Sequence, residues 1–251
     1  MNLLRSINKI LWRIHLRLVR FPDHATTVQH EGKQYAYDSA LLFRYAPWLL
    51  DDEFKTVYAV AKFNTLVDIY RCYELYSLVK EVADIDGDVL EVGVWRGGTG
   101  VVLAAAARQW KAGCTVHLCD TFSGVVKAGS IDSRYQGGEH ADTSVAHVQS
   151  LMRDLQLNNC AIHQGIFPEN AAAKLAAQKF ALCHVDVDVY QSALDIVNWV
   201  KPQMATGAVL VFDDYGFHHC DGITRLVNEL RQTKEWLFVY NLNGHAILIR
   251  K

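Results

Sequence analysis

The chain has 251 residues, 51% of them apolar and 21% charged, with only four prolines. A chain so long and apolar can bury a core of its own, which excludes a disordered protein. Lysine and arginine total 25 against 27 aspartates and glutamates, a net charge of −2, so no chain-wide basic field exists to hold nucleic acid. Six cysteines form no C-x-x-C pair. They fit buried reduced thiols and a cytoplasmic location better than a disulfide framework or a zinc site.

Residues 1–20 place Arg5, Lys9, Arg13 and Arg17 every fourth position. Leu3, Leu4, Ile7, Ile10, Leu11, Ile14 and Leu18 lie between them at helical spacing, which predicts an amphipathic basic helix. It lacks a continuous apolar run and a small-residue cleavage site, so a secretory signal is not expected. Packing on the domain or on a second subunit, as in a homo-oligomer, is the plainer role for it. Weak contact with an anionic membrane surface is the alternative. No apolar run is long enough to span a membrane. Residues 22–50 read as an extended or irregular lead-in rich in aromatics. The chain is therefore divided into an N-terminal helix with a cap segment, residues 1–50, and a main domain, residues 51–251.

The main domain opens with an apolar periodicity of threes and fours that predicts a helix over 52–84. From residue 89 strands and helices alternate. Strands are expected at 89–92, 115–119, 160–164, 180–185 and 208–212. Helices are expected at 101–110, 143–156, 171–178, 191–200 and 221–233. A long polar loop covers 123–142. Two strands, 236–241 and 245–249, meet at Leu242-Asn243-Gly244, a hairpin signal. This order predicts an α/β domain with a mostly parallel sheet. Ligands of such sheets bind at the carboxyl ends of the strands, and Glu91, Asp120, Asp186, Asp213 and Asp214 all fall there.

Two of these strand ends have chemistry in their spacing. Glu91-Val-Gly93-Val-Trp95-Arg-Gly97-Gly98-Thr99-Gly100 joins a strand to a helix. It is neither a phosphate-binding P-loop nor a dinucleotide fingerprint. An acid before the first glycine repels a diphosphate and suits a cationic ligand. Asp120 ends the next strand, where it can hold a ribose diol. A cationic nucleoside, S-adenosylmethionine, satisfies both; a tight turn without a ligand is the alternative. Asp186, Asp213 and Asp214 would meet on adjacent strands, and like charges so close need a counter-cation. Mg2+ suits carboxylate oxygens, with helix capping as the alternative. Asp186-x-Asp188 also matches the aspartyl-phosphate motif of haloacid-dehalogenase-type phosphatases imperfectly, without the downstream spacing that family needs.

In order, Leu90-Glu91-Val-Gly93-Val-Trp-Arg-Gly97-Gly98, Asp120-Thr-Phe-Ser-Gly124, His184-Val-Asp186-Val-Asp188-Val-Tyr190 and Phe212-Asp213-Asp214-Tyr215-Gly216 resemble the macrocin O-methyltransferase (TylF-type) family. The resemblance runs from about residue 52 to the C-terminus. It implies a class I methyltransferase (Rossmann-like) fold: a seven-stranded, mostly parallel sheet with helices on both faces and a C-terminal β-hairpin. It implies S-adenosylmethionine as donor, Mg2+ as activator, and a small-molecule hydroxyl as acceptor. The acceptor is expected to be a sugar hydroxyl of a glycosylated natural product or glycan, with a phenolic or catechol hydroxyl as the alternative. The cofactor set is then Glu91, Gly93, Val94, Trp95, Gly97, Thr99, Asp120, Ser123, Gly165 and Asp186. Asp186, Asp213 and Asp214 would hold the metal, and Asp188 would be the general base. Catechol O-methyltransferase, a more distant likeness, has an asparagine and a lysine where this chain has Asp214 and Val189. His140, His218 and His219 are candidates for acceptor contact, with the loop 123–142 as a lid. A non-catalytic binding subunit of the same fold is a further alternative, and the unneutralised acids argue against it.

Overall fold

The computed structural model describes residues 25–30, 33–38, 44–132, 134–217 and 219–251. The helix expected over 1–20 lies outside the described residues, as does His218. The chain divides into two compact units, Met1–Lys55 and Thr56–Lys251.

In the first unit the lead-in read as extended or irregular contains a small antiparallel sheet. Strand β1 (Ala25–His30) pairs with β2 (Lys33–Asp38), with His30 opposite Lys33, and β2 pairs with the two-residue β3 (Arg44–Tyr45). Thr26, Thr27, Val28, Tyr35 and Tyr37 are strand formers. Helix α1 (Asp52–Ala61) follows.

The predicted single helix over 52–84 is two. Apolar spacing runs through the break, but local hydrogen bonds stop the first helix and start the second. Asn64 Nδ2 donates to the Val60 carbonyl. Asp68 caps α2 (Ile69–Glu81) by accepting from the N–H groups of Tyr70 and Arg71, the usual work of an N-cap aspartate.

The second unit then alternates: β4 (Asp88–Val92), α3 (Gly98–Trp110), β5 (Val116–Asp120), α4 (Val145–Asp154), β6 (Cys160–Gln164), β7 (Phe180–Val185), α5 (Tyr190–Val200), β8 (Met204–Phe212), α6 (Asp221–Arg231), β9 (Trp236–Val239) and β10 (Ala246–Arg250). The helix expected at 171–178 shrinks to one 3-10 turn, Ala171–Lys174. So short an alanine run cannot sustain helix by propensity, and it is kept by packing Ala171, Ala172 and Leu175 on the core.

The sheet order is β6-β5-β4-β7-β8-β10-β9; β10 runs antiparallel to β8 and to β9. Chain progress reverses between β4 and β7. Right-handed crossovers on the two sides of that reversal put their helices on opposite faces. The reversal is also where the carboxyl ends of two strands splay apart and leave a crevice. Both strands are buried from Val89 onward, so the crevice floor is a rigid core. Helix α3 is buried from Gly98 to Ala107; its run of alanines and glycines lets it lie close to the sheet. All six cysteines are free, and all but Cys160 are buried.

Candidate active site

A cavity of roughly 330 Å³ opens at this crevice, within the second unit. One end is walled by the glycine turn and the other by the carboxylates after β7 and β8.

The turn end is held by main-chain hydrogen bonds. Gly93 follows β4 with φ +92°, and a Cβ there would come within 1.7 Å of the Asp186 carbonyl oxygen. Only glycine lets β4 and β7 leave the sheet side by side. Gly98 opens α3, where a Cβ would meet Ala61 and Asn64 backbone at 2.7 Å. Asp120 Oδ2 accepts the N–H of Val94 at 2.7 Å and of Trp95 at 2.9 Å, while Oδ1 accepts the N–H of Phe122 at 2.6 Å. A carboxylate has about four acceptor positions, so Asp120 fixes the turn and keeps acceptor capacity for a ligand hydroxyl.

Of the predicted cofactor residues, Gly93, Val94, Trp95, Thr99, Asp120, Gly165 and Asp186 line the cavity; Glu91, Gly97 and Ser123 do not. Glu91 is fully buried beneath the turn, with Oε1 3.0 Å from His184 Nδ1. Gly97 is the left-handed N-cap of α3. Ser123 is exposed at the start of the 123–142 loop. Thr99, Asp120 and the backbone of the turn give a polar cradle that fits a nucleoside with a diol.

The acid end is built from side chains distant in sequence. Asp186, Asp213 and Asp214 present oxygens within 4.8 Å of one another. An all-carboxylate donor set of this span fits a hard divalent ion such as Mg2+. Burial, then repulsion from Asp213 and Asp214, pushes Asp186 well above the usual carboxylate range. Burial and the charges of Asp213 and Asp188 push Asp214 up to about 7. Burial raises Asp213 as well, but hydrogen bonding and charge from His245, then Arg71, outweigh it and hold that group at about 2.

Arg71 is the partner that sequence reasoning missed. Its guanidinium, on α2, donates Nη1 to Asp213 Oδ1 at 2.6 Å and lies 3.5 Å from Asp214 Oδ1. Part of the counter-charge demanded by the acids therefore comes from the chain itself, which weakens the argument that the acids alone exclude a non-catalytic role. The available signal was a charge stripe, Asp68, Arg71 and Glu74, every third residue at the start of α2.

Asp188 faces the same cavity, with φ +65°. Tyr135 Oη donates to its Oδ1 at 2.7 Å. Burial raises the Asp188 pKa, against the hydrogen bond from Tyr135 and the nearby His140. Burial and the Asp188 charge in turn raise the Tyr135 phenol well above its ordinary value. Trp95, His140 and Asp214 also have positive φ at the cavity wall. Such backbone costs of order 1–3 kcal/mol per residue and persists where surrounding structure enforces it, often at functional sites.

The 123–142 loop is strapped down rather than free. Lys127 pairs with Glu169 and Asp195. Asp132 accepts the Tyr190 N–H. Asp142 accepts from Trp95 Nε1 at 2.8 Å and pairs with Arg96. Through these straps Arg134, Tyr135 and His140 line the cavity. His219 lines it from the other side. Among the described residues no helix is long and apolar enough to cross a membrane.

A sequence profile described as Macrocin-O-methyltransferase (TylF) matches residues 60–243. The chain is 25% identical over 169 residues to the 8-demethyl-8-(2,3-dimethoxy-alpha-L-rhamnosyl)-tetracenomycin-C 4'-O-methyltransferase of Streptomyces olivaceus, an alignment covering 62% of this chain and 64% of that relative. It is 27% identical over 175 residues to the mycinamicin III 3''-O-methyltransferase of Micromonospora griseorubida, covering 62% of this chain and 67% of the relative. The chain thus spans just under two thirds of the first relative's length. The solved structure of the O-methyltransferase NovP is similar with a TM-score of 0.65 at 22% identity, covering 75% of this chain and 82% of that one; this likeness establishes a shared fold.

Proposed function

The chain belongs to the macrocin O-methyltransferase (TylF) family, and on that premise we propose that it moves a methyl group from S-adenosylmethionine to a hydroxyl of a small molecule. A sugar hydroxyl of a glycosylated natural product or glycan is the acceptor we favour, as the names of the relatives suggest. The observation carrying this reading is the two-ended cavity, with a diol-binding turn at one end and a carboxylate cluster at the other.

When bound, S-adenosylmethionine supplies an electrophilic methyl, and Mg2+ supplies positive charge that acidifies the acceptor hydroxyl. Gly93, Val94, Trp95, Thr99 and Asp120 would hold the cofactor, and Asp186, Asp213 and Asp214 the ion. Asp188 receives the acceptor's hydroxyl proton on its carboxylate. Burial suits it to this task by moving its pKa toward the working pH. Tyr135 fixes that carboxylate by donating to Oδ1. The strapped 123–142 loop covers the cavity and limits water around the reacting groups. Orienting one hydroxyl against one methyl is then a large part of the rate advantage.

The aspartyl-phosphate alternative receives no support, because no lysine is among the described residues lining the cavity. Incubating the chain with methyl-labelled S-adenosylmethionine, Mg2+ and a panel of glycosylated and phenolic diols tests the proposal. Label on a sugar hydroxyl is expected; label on phenols alone would move the acceptor assignment. S-adenosylhomocysteine binding without turnover on any acceptor would favour the binding-subunit reading.

A further inference from the structure

Asp68, Arg71 and Glu74 sit three residues apart, at the start of α2 and along its first turns, so they share one face of the helix. Each engages the acid cluster, directly or through one neighbour. Asp68 Oδ2 accepts from Arg71 Nε at 2.9 Å. Arg71 Nη1 reaches Asp213 and Asp214 as described. Glu74 Oε2 lies 2.6 Å from His245 Nδ1, and His245 Nε2 lies 3.1 Å from Asp213 Oδ1. Asn241 and Asn243, in the β9–β10 loop, also donate to Glu74. The Phe217 ring covers the guanidinium at 5.1 Å. Arg71 is 6% exposed, and a guanidinium is charged at any working pH. A fixed positive charge is therefore held in the group of carboxylates that the family reading assigns to a divalent ion.

We infer that Arg71 is a tethered counter-cation of the acid cluster, a positioning residue that holds Asp213 and Asp214 ready and competes with the divalent ion for their charge. The inference rests on reading Asp186, Asp213 and Asp214 as metal ligands. Three carboxylates this close repel one another when ionised. One guanidinium relieves part of that repulsion, so the ligand geometry exists before an ion arrives. The same charge lowers the negative potential the ion would bind. Ligand order is gained at the expense of affinity. A residue that merely stabilised the fold would leave ion affinity alone or lower it when removed; a competing cation raises affinity when removed.

The test is calorimetric titration of Mg2+ into the full-length chain as wild type, Arg71→Gln and Arg71→Lys. Arg71→Gln should bind Mg2+ roughly tenfold more tightly, the order expected for a unit charge beside a dication even under strong screening. Arg71→Lys keeps the charge and should bind close to wild type. Heat from Arg71→Gln with none from wild type supports the inference in its strongest form. Wild-type binding with Arg71→Gln equal or weaker overturns the inference while the metal reading stands. Equal tightening in the lysine and glutamine variants also overturns it, since charge is then not the cause. No heat from any of the three overturns the metal reading and the inference with it. If Arg71→Gln folds only with Mg2+ present, melting followed over Mg2+ concentration reads the same competition. Its melting temperature must then climb more steeply with Mg2+ than that of wild type, and a parallel climb overturns the inference.

Discussion

The two ends of the cavity are built on different principles. At the turn end, the carboxylate of Asp120 accepts main-chain N–H groups, those of Val94 and Trp95, 26 and 25 residues away, and of Phe122, two residues away. At the acid end, Asp213 is held by Arg71, 142 residues away, and all the partners are side chains. Main-chain partners are present whatever the side chain, so the turn needs only glycines and one acid at the right spacing. The acid end needs particular residues from α2, β7, β8 and β10 to converge. It is also where charge is left unbalanced. On the proposed reading, the first end binds and the second reacts.

Substitutions that act on one end alone can break this contrast. The largest effect is expected from Asp188→Asn. It should lower kcat by about 10²- to 10⁴-fold, the usual range for a general base, while S-adenosylhomocysteine affinity holds; normal turnover in a single-turnover assay would remove Asp188 from the base role. Next is Gly93→Ala. A methyl 1.7 Å from the Asp186 carbonyl must separate β4 from β7, so a loss of about 3 kcal/mol or more is expected in denaturant unfolding; an unchanged midpoint would contradict the close approach. Asp120→Asn removes a charged acceptor serving three backbone donors and should cost about 1–3 kcal/mol, together with a weaker hold on S-adenosylhomocysteine. Smallest is Tyr135→Phe. Losing one donor to a buried carboxylate should cost about 1–2 kcal/mol in kcat/KM, read as a roughly tenfold drop with cofactor affinity unchanged.

The same contrast explains what could be read from the sequence. The strands from residue 88 onward, the glycine turn and the acids at strand ends are local patterns, and each is found where its spacing put it. The fold class followed, because strand–helix alternation leaves few right-handed topologies open. Local structure defeated periodicity in two places. Asp68 capped a new helix inside an apolar run, and residues 171–178 made one 3-10 turn. At the site, the contacts of Arg71, Tyr135 and the Glu74–His245 pair were illegible. Their partners lie 53 to 171 residues away; the stripe on α2 marks charge at Arg71 and Glu74, but local spacing does not say which distant group it meets. Glu91 shows the opposite case: its position beside the turn was plain, but its side chain turns inward to His184 and does not line the cavity.

The most direct test of a cavity divided between a binding end and a reacting end is calorimetric titration of S-adenosylhomocysteine into wild type, Asp120→Asn and Asp214→Asn. One site per chain is expected in wild type, weakened at least about tenfold by Asp120→Asn through loss of a charged acceptor and left unchanged by Asp214→Asn. No binding to wild type, or binding that follows Asp214 and ignores Asp120, would contradict the account.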